Sequence, residues 1–376
     1  MKTSKWTATG LLLAALSFGT ANGQMILGIA LTNDQVLLYW PSSYTNWVLQ
    51  SSTDLTSTNW GYATDAAPAT YGSLTAMTVS NNVPAKFFRL IQVPQTTTDG
   101  MTFIPAGWFT MGDTLDGDSV AIPTNVYTSA FYMDIYLVTY SQWQTLYNWA
   151  TNSGYAFDNA GSGRGANYPV ESVNWYDSVK WCNARSQQSG LTPVYYTDAG
   201  LTQVYTNGDL TPYVNWSAGG YRLPTEAEWE KAARGGLSGL RFPWGLTISE
   251  SQANYQGCTS CYTYDLGPSG FNAIFFNHGV SPYTSPVGYF ASNGYGLYDM
   301  AGNVLEWCWD VWGPYGQPTP INPTGSTSGY VGAGYRVLRG GDWLAEANYA
   351  RCAGRDAGGQ GGTGLDSGGF RCVRGF

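Results

Sequence analysis

NGYGLYDMAGNVLEW, residues 293–307, decides how the larger part of this chain is read. It sits in a stretch from Gly236 to Gly340 with almost no helical pattern. Long structureless loops are uncommon in compact domains, so the density of aromatic and Asn-Gly positions marks this region as packed loops. Within the quoted stretch, the residues alone allow Asp299 as a turn cap. Glu306, flanked by Leu305 and Trp307, reads as a buried acid bonded to backbone.

Working outward toward the N-terminus, three helices are expected from their caps. Thr139 with Gln142 opens one that runs toward Gly154, and Asn174 with Asp177 opens another toward Gly190. Thr225 and Glu228 form a capping box after Pro224, and Gly235 and Gly236 stop the third helix. Farther out, PQTTTDG at 94–100 reads as a linker. Before it, VLLYW (36–40), NWVLQSS (46–52), AMTVS (76–80) and KFFRLIQV (86–93) have strand character, giving a small all-β module over 25–96. Residues 1–23 combine basic Lys2 and Lys5, an apolar stretch around Leu11 to Leu16 and small Ala21 and Gly23, the pattern of a secretory signal peptide.

Composition narrows the function. Only 11% of the 376 residues are charged, while 16 Trp, 28 Tyr and 48 Gly point to a loop-rich fold held by aromatic packing. The formal net charge of −8 excludes nucleic acid and anionic lipid as expected partners, since both need clustered Lys and Arg. No later run suggests membrane insertion. A single histidine, His278, leaves little room for zinc sites or His-based triads. Six cysteines in an exported chain suggest disulfides. The CTSC at 258–261 allows a loop staple, a redox motif or half a zinc site, and zinc would need further ligands.

Eight collinear blocks carry a family resemblance: MTFIPAGWFTMGD (101–113), FYMDIYLVTYSQW (131–143), YPVESVNWYDSVKWC (168–182), YRLPTEAEWEKAARGG (221–236), FPWG (242–245), NGYGLYDMAGNVLEW (293–307), RVLRGG (336–341) and GFRC (369–372). In this order they resemble the formylglycine-generating-enzyme (sulfatase-modifying factor) family over 98–376. The resemblance implies an irregular α+β fold related to C-type lectins, here preceded by the all-β module. It also implies calcium, held by the carboxylates of Asp299 and Glu306 and the carbonyls of Gly302 and Val304, a set of oxygens on a glycine-bent loop that suits a hard cation. A second calcium position would begin at Asn254 and Tyr255, with Asp265 as its acid.

The family's copper-binding thiolates correspond to Ala345 and to Ala347 or Ala350, so copper and the formylglycine-generating oxidation are not expected here. The Ser that follows the family's Gly pair is Asp342, and a Trp of the substrate groove is Leu305. The resemblance implies a Cys182–Cys372 disulfide. The usual partner of Cys352 is Ala233 in this chain, which leaves Cys308 to pair with Cys352 and Cys258 with Cys261.

The expected function is therefore a secreted or extracytoplasmic binding scaffold for a protein or glycan. Its ligand surface is expected at Asp342, Trp343, Glu346, Asn348, Tyr349, Asp356, Gln360 and Asp366, because polar glycine-rich loops on a rigid scaffold commonly carry recognition. The arrangement also resembles the variable proteins of diversity-generating retroelements, whose variation falls between RGG and the terminal GFR. A divergent sulfatase-cysteine oxidase and a structural component of the cell envelope are the competing readings.

Overall fold

The computed structural model describes residues 16–18, 25–32, 35–44, 47–53, 61–62, 69–80, 86–92, 95–277, 279, 281–315, 320–325, 334–362 and 366–375. Apart from Leu16–Phe18, the proposed leader lies outside these residues, as does His278. The chain divides into a unit of Met1–Gln95 with Pro105–Trp108 and a unit of Thr96–Ile104 with Phe109–Phe376. Among the described residues no helix is long and apolar enough to cross a membrane.

The first unit is all β. Leu16–Phe18, Met25–Thr32, Gln35–Pro41, Leu74–Ser80 and Ala69–Tyr71 form an antiparallel sheet in that order, and Gly61–Tyr62, Trp47–Ser52 and Phe87–Gln92 form a second. Period-2 alternation places one face of each strand inward. Leu38, Trp40, Leu49, Met77, Val79 and Leu90 make the core, with Leu38 opposite Met77 and Val36 opposite Val79.

The second unit contains helix α1 (Tyr140–Asn152), α2 (Trp175–Gln188), α3 (Glu226–Ala233) and the single turn α4 (Ala273–Phe276). The first three begin where their caps predict. Thr139 and Gln142 form a reciprocal capping box, as do Thr225 and Glu228, and the Asn174 side chain accepts from the Asp177 N–H. Gly235 and Gly236 take left-handed φ values of 58° and 84° beyond α3. Two four-stranded sheets organise the remainder. One runs Tyr221–Arg222, Val373–Arg374, Phe131–Asp134, Met101–Ile104, and the other Arg355–Gln360, Tyr335–Arg339, Leu305–Val311, Gly368–Gly369.

Aromatic rings fill the space that short elements leave. Trp143, Trp175, Trp229 and Trp307 are fully buried, and Trp143 stacks on Trp181 with centroids 6.2 Å apart. Three of their indole N–H groups find acceptors inside, while that of Trp229 has none among the described residues. Trp175 donates to the Cys308 carbonyl at 2.8 Å and Trp307 to the Val173 carbonyl at 3.0 Å, joining the start of α2 to strand Leu305–Val311.

Candidate functional site

Strand Leu305–Val311 is the spine of the site. It pairs Glu306 with Arg339 on one side and, in parallel register, with Gly369 on the other. Glu306 is buried, and Arg371 donates to both its oxygens, at 2.7 and 2.9 Å. The Arg371 Nη2 also donates to the Tyr298 carbonyl at 2.9 Å.

Asp299 precedes this strand with a left-handed φ of 57°. Its Oδ2 accepts the Gly288 N–H at 2.8 Å, and its buried Oδ1 has no hydrogen-bond partner among the described residues. Burial raises this carboxyl to about 6, against the pull of the Gly288 N–H and the Arg371 charge. An orphaned carboxylate oxygen is what a bound cation would satisfy. Of the calcium set that the resemblance implies, the Asp299 Oδ1 is thus an oxygen left unmatched by protein donors. Glu306 would have to share its lone pairs between the ion and Arg371.

The loop that follows is tightly locked. The Gly302 N–H donates to the Gly340 carbonyl at 2.7 Å, and the Asn303 N–H to the Asn254 carbonyl at 2.8 Å. A Cβ on Gly302 would stand 2.3 Å from the Asn254 carbonyl oxygen, so no side chain fits there. The Asn254 amide donates to the Tyr283 carbonyl at 2.8 Å. The Tyr255 phenol donates to Asp265 at 2.6 Å, and Asp265 also accepts the Cys258 and Gly267 N–H groups at 2.6 and 2.9 Å. Asp265 thus anchors a turn, and its oxygens are engaged by protein donors rather than left for an ion.

After the double glycine come Ala345, Ala347 and Ala350, the positions that the resemblance assigns to the family's thiolates. Ala347 and Ala350 are buried against Phe242, Ile248, Ala253, Tyr255 and Ala301. Methyl groups at these positions and at Ala345 offer no metal ligand. Asp342 braces the turn: its Oδ1 accepts from the Leu344 and Ala345 N–H groups at 3.0 and 2.6 Å, and the Ser367 hydroxyl donates to Oδ2. Burial raises its carboxyl, with these bonds opposing.

The expected ligand residues therefore separate. Trp343 is an internal side chain, 5.1 Å from the Tyr283 ring, and Asp342 is a buried brace. Tyr349 and the neighbouring Leu344 stand in solvent, as does Asp366. Glu346 is half-buried, with the Tyr262 hydroxyl donating to Oε2 at 3.0 Å. The buried Asn348 Oδ1 has no partner among the described residues. Asp356 pairs across the sheet with Leu338; burial raises its carboxyl, and Asp342 adds to the effect. The Gln360 side chain lies outside the described residues.

Sequence reasoning missed Glu171. It is fully buried, accepts from the Thr284 hydroxyl at 3.3 Å, and its Oε2 has no partner among the described residues. Burial pushes its carboxyl up to about 8, with further contributions from Asp342 and Asp366. The signal was present: an acid between the valines of PVESV (169–173), just before the Asn174 cap of α2.

Among the cysteines, Cys258 and Cys261 are bonded. Cys182 on α2 and Cys372, just before the last strand, are unbonded thiols with Sγ atoms 3.5 Å apart, so the expected bond between them is not formed in this structure. Cys308 and Cys352 are unbonded buried thiols in one core cluster with Trp229 and Ala233. The expected Cys308–Cys352 bond is thus not formed in this structure. Burial raises both thiols, that of Cys352 to about 12.

Residues 87–376 match the family model described as sulfatase-modifying factor enzyme 1-like domain. The chain is similar to the chaperone protein LppX of Paenibacillus barcinonensis, with 32% identity over 260 residues, 68% of this chain and 82% of that protein. It is also similar to the formylglycine-generating enzyme of Thermomonospora curvata, with 32% identity over 285 residues, 68% of this chain and 86% of that protein. Among solved structures, Treponema denticola variable protein 1 superposes with a TM-score of 0.55 at 26% identity, over 82% of this chain and 98% of that one. The irregular α+β fold, the eight collinear blocks and these relatives agree: the chain belongs to the sulfatase-modifying factor family.

Proposed function

We propose that this protein is a ligand-binding member of its family, acting outside the cytoplasm, in which the loops following RGG serve recognition in place of oxidation. One observation carries the reading. The segment that the resemblance assigns to the family's copper thiolates is a methyl-lined wall, with Ala347 and Ala350 sealed into an apolar cluster. Copper-thiolate chemistry has no ligands at that place. Immediately beside it, Leu344 and Tyr349 project into solvent from a backbone braced by Asp342, the arrangement of an exposed recognition loop on a rigid support. The ligand class is an extracellular protein or glycan.

Two measurements test this. Oxygen consumption with Cu(I) and a cysteine peptide of the sulfatase type should not rise above background. Glycan and protein arrays probed with wild type and with Leu344→Ser/Tyr349→Ala should show a signal that the variant loses while its melting temperature is unchanged. Copper-dependent turnover would return the chain to the oxidase reading, and array binding indifferent to both side chains would remove the proposed surface.

A further inference from the structure

The CTSC turn lies against the recognition segment. The Sγ atoms of Cys258 and Cys261 and a carboxylate oxygen of Glu346 all lie within 4.8 Å of one another. Among the described residues they form the one such group of three metal-ligating side chains. The juxtaposition is built. The Gln256 N–H donates to the Ala345 carbonyl at 2.9 Å, placing Glu346 beside the turn. The Tyr262 hydroxyl holds Glu346 Oε2 at 3.0 Å, and Asp265 holds the Cys258 N–H at 2.6 Å.

In the structure the two sulfurs are joined, Cys261 is exposed, and Cys258 is half-buried. A disulfide closing so short a loop removes little entropy from the unfolded chain, and an exposed sulfur is open to thiolate attack. Once opened, two thiolates and a carboxylate with water in the fourth position form a tetrahedral set of the kind zinc accepts.

We propose that Cys258, Cys261 and Glu346 form a redox-gated zinc site. A dithiol reductant breaks the S–S bond, giving two electrons and two protons to the two sulfurs and leaving as its own disulfide. Zinc then displaces both thiol protons and takes a carboxylate oxygen of Glu346. The oxidised pair has no thiolate to offer, so the site is open only in the reduced protein. This proposal is independent of the identity of the recognition ligand.

The full chain is reduced with dithiothreitol, desalted anaerobically and titrated with Zn2+ against a chromophoric chelator. A parallel Co2+ titration reads thiolate-to-cobalt absorption. The reduced protein should bind one zinc with that cobalt signature, and the oxidised protein none. Cys258→Ser should abolish binding, and Glu346→Gln should weaken it at least about tenfold. Cys182→Ser should leave it unchanged, and melting curves verify that each variant is folded. Retention of zinc by Cys258→Ser, wild-type affinity in Glu346→Gln, or a pair that stays oxidised under dithiothreitol would each overturn the proposal.

Discussion

Arg371 and Glu306 meet as a two-pronged ion pair in which neither side chain reaches solvent, Nε to Oε2 at 2.7 Å and Nη2 to Oε1 at 2.9 Å. Burying two charges is costly, and removing one partner leaves the other uncompensated. Arg371→Met should therefore cost about 3–5 kcal/mol. Urea denaturation of the single variant and of Arg371→Met/Glu306→Gln separates the charge from the packing, because the double variant should recover part of the loss.

Glu171 gives stability a slope with pH. Burial, with the charges of Asp342 and Asp366 adding to it, pushes its folded carboxyl up to about 8 against 4.5 in the unfolded chain, and the Thr284 hydroxyl and Arg164 oppose this only in part. The folded state therefore holds a proton that the unfolded state has released, and stability falls as pH rises from about 4.5 to about 8. Glu171→Gln should remove that slope and raise stability at pH 8.5 by roughly 1–3 kcal/mol, seen as a higher melting temperature, with little change at pH 4.5. Identical melting curves for wild type and variant at both values would show that the acid is solvated.

Calcium, if held at Asp299, stabilises the folded chain by mass action, about 2.7 kcal/mol at a hundredfold excess over Kd. Calorimetric melting with calcium and with EGTA should differ for wild type and coincide for Asp299→Asn. A melting temperature indifferent to both additions removes calcium from the account.

The facing thiols of Cys182 and Cys372 should join under oxidising conditions, since 3.5 Å between sulfurs closes with a small side-chain movement. Peptide mapping after alkylation should recover the linked pair. Replacing both by Ser should then cost about 2–5 kcal/mol, because the bridge closes a long loop. Equal stability of the oxidised protein and the double variant would show that the thiols stay free.

What the sequence disclosed was what depends on neighbours in the chain. Thr139, Asn174 and Thr225 announce helices through partners three residues away, and the structure places the helices there.

Contacts between distant segments were not legible. Glu346 was read as a ligand residue in its own loop, and nothing local shows that Gln256 draws it beside Cys258 and Cys261. Trp343 looked like a recognition aromatic until Phe271 and Tyr283 enclosed it. Cys308 and Cys352 share a cluster, yet a common core does not give the direct sulfur approach that a bond demands.

The indole N–H bonds of Trp175 to the Cys308 carbonyl and of Trp307 to the Val173 carbonyl give the scaffold a built-in reporter. One ring donates from the start of α2 to the strand, and the other donates from the strand to Val173, two residues ahead of that helix. The two links run in opposite directions, so a one-residue slide of the strand would break both together. In a nuclear magnetic resonance spectrum, the two indole protons should exchange with deuterium at a common slow rate. Their joint loss would mark the moment at which helix and strand part, even while the flanking loops still hold their shape.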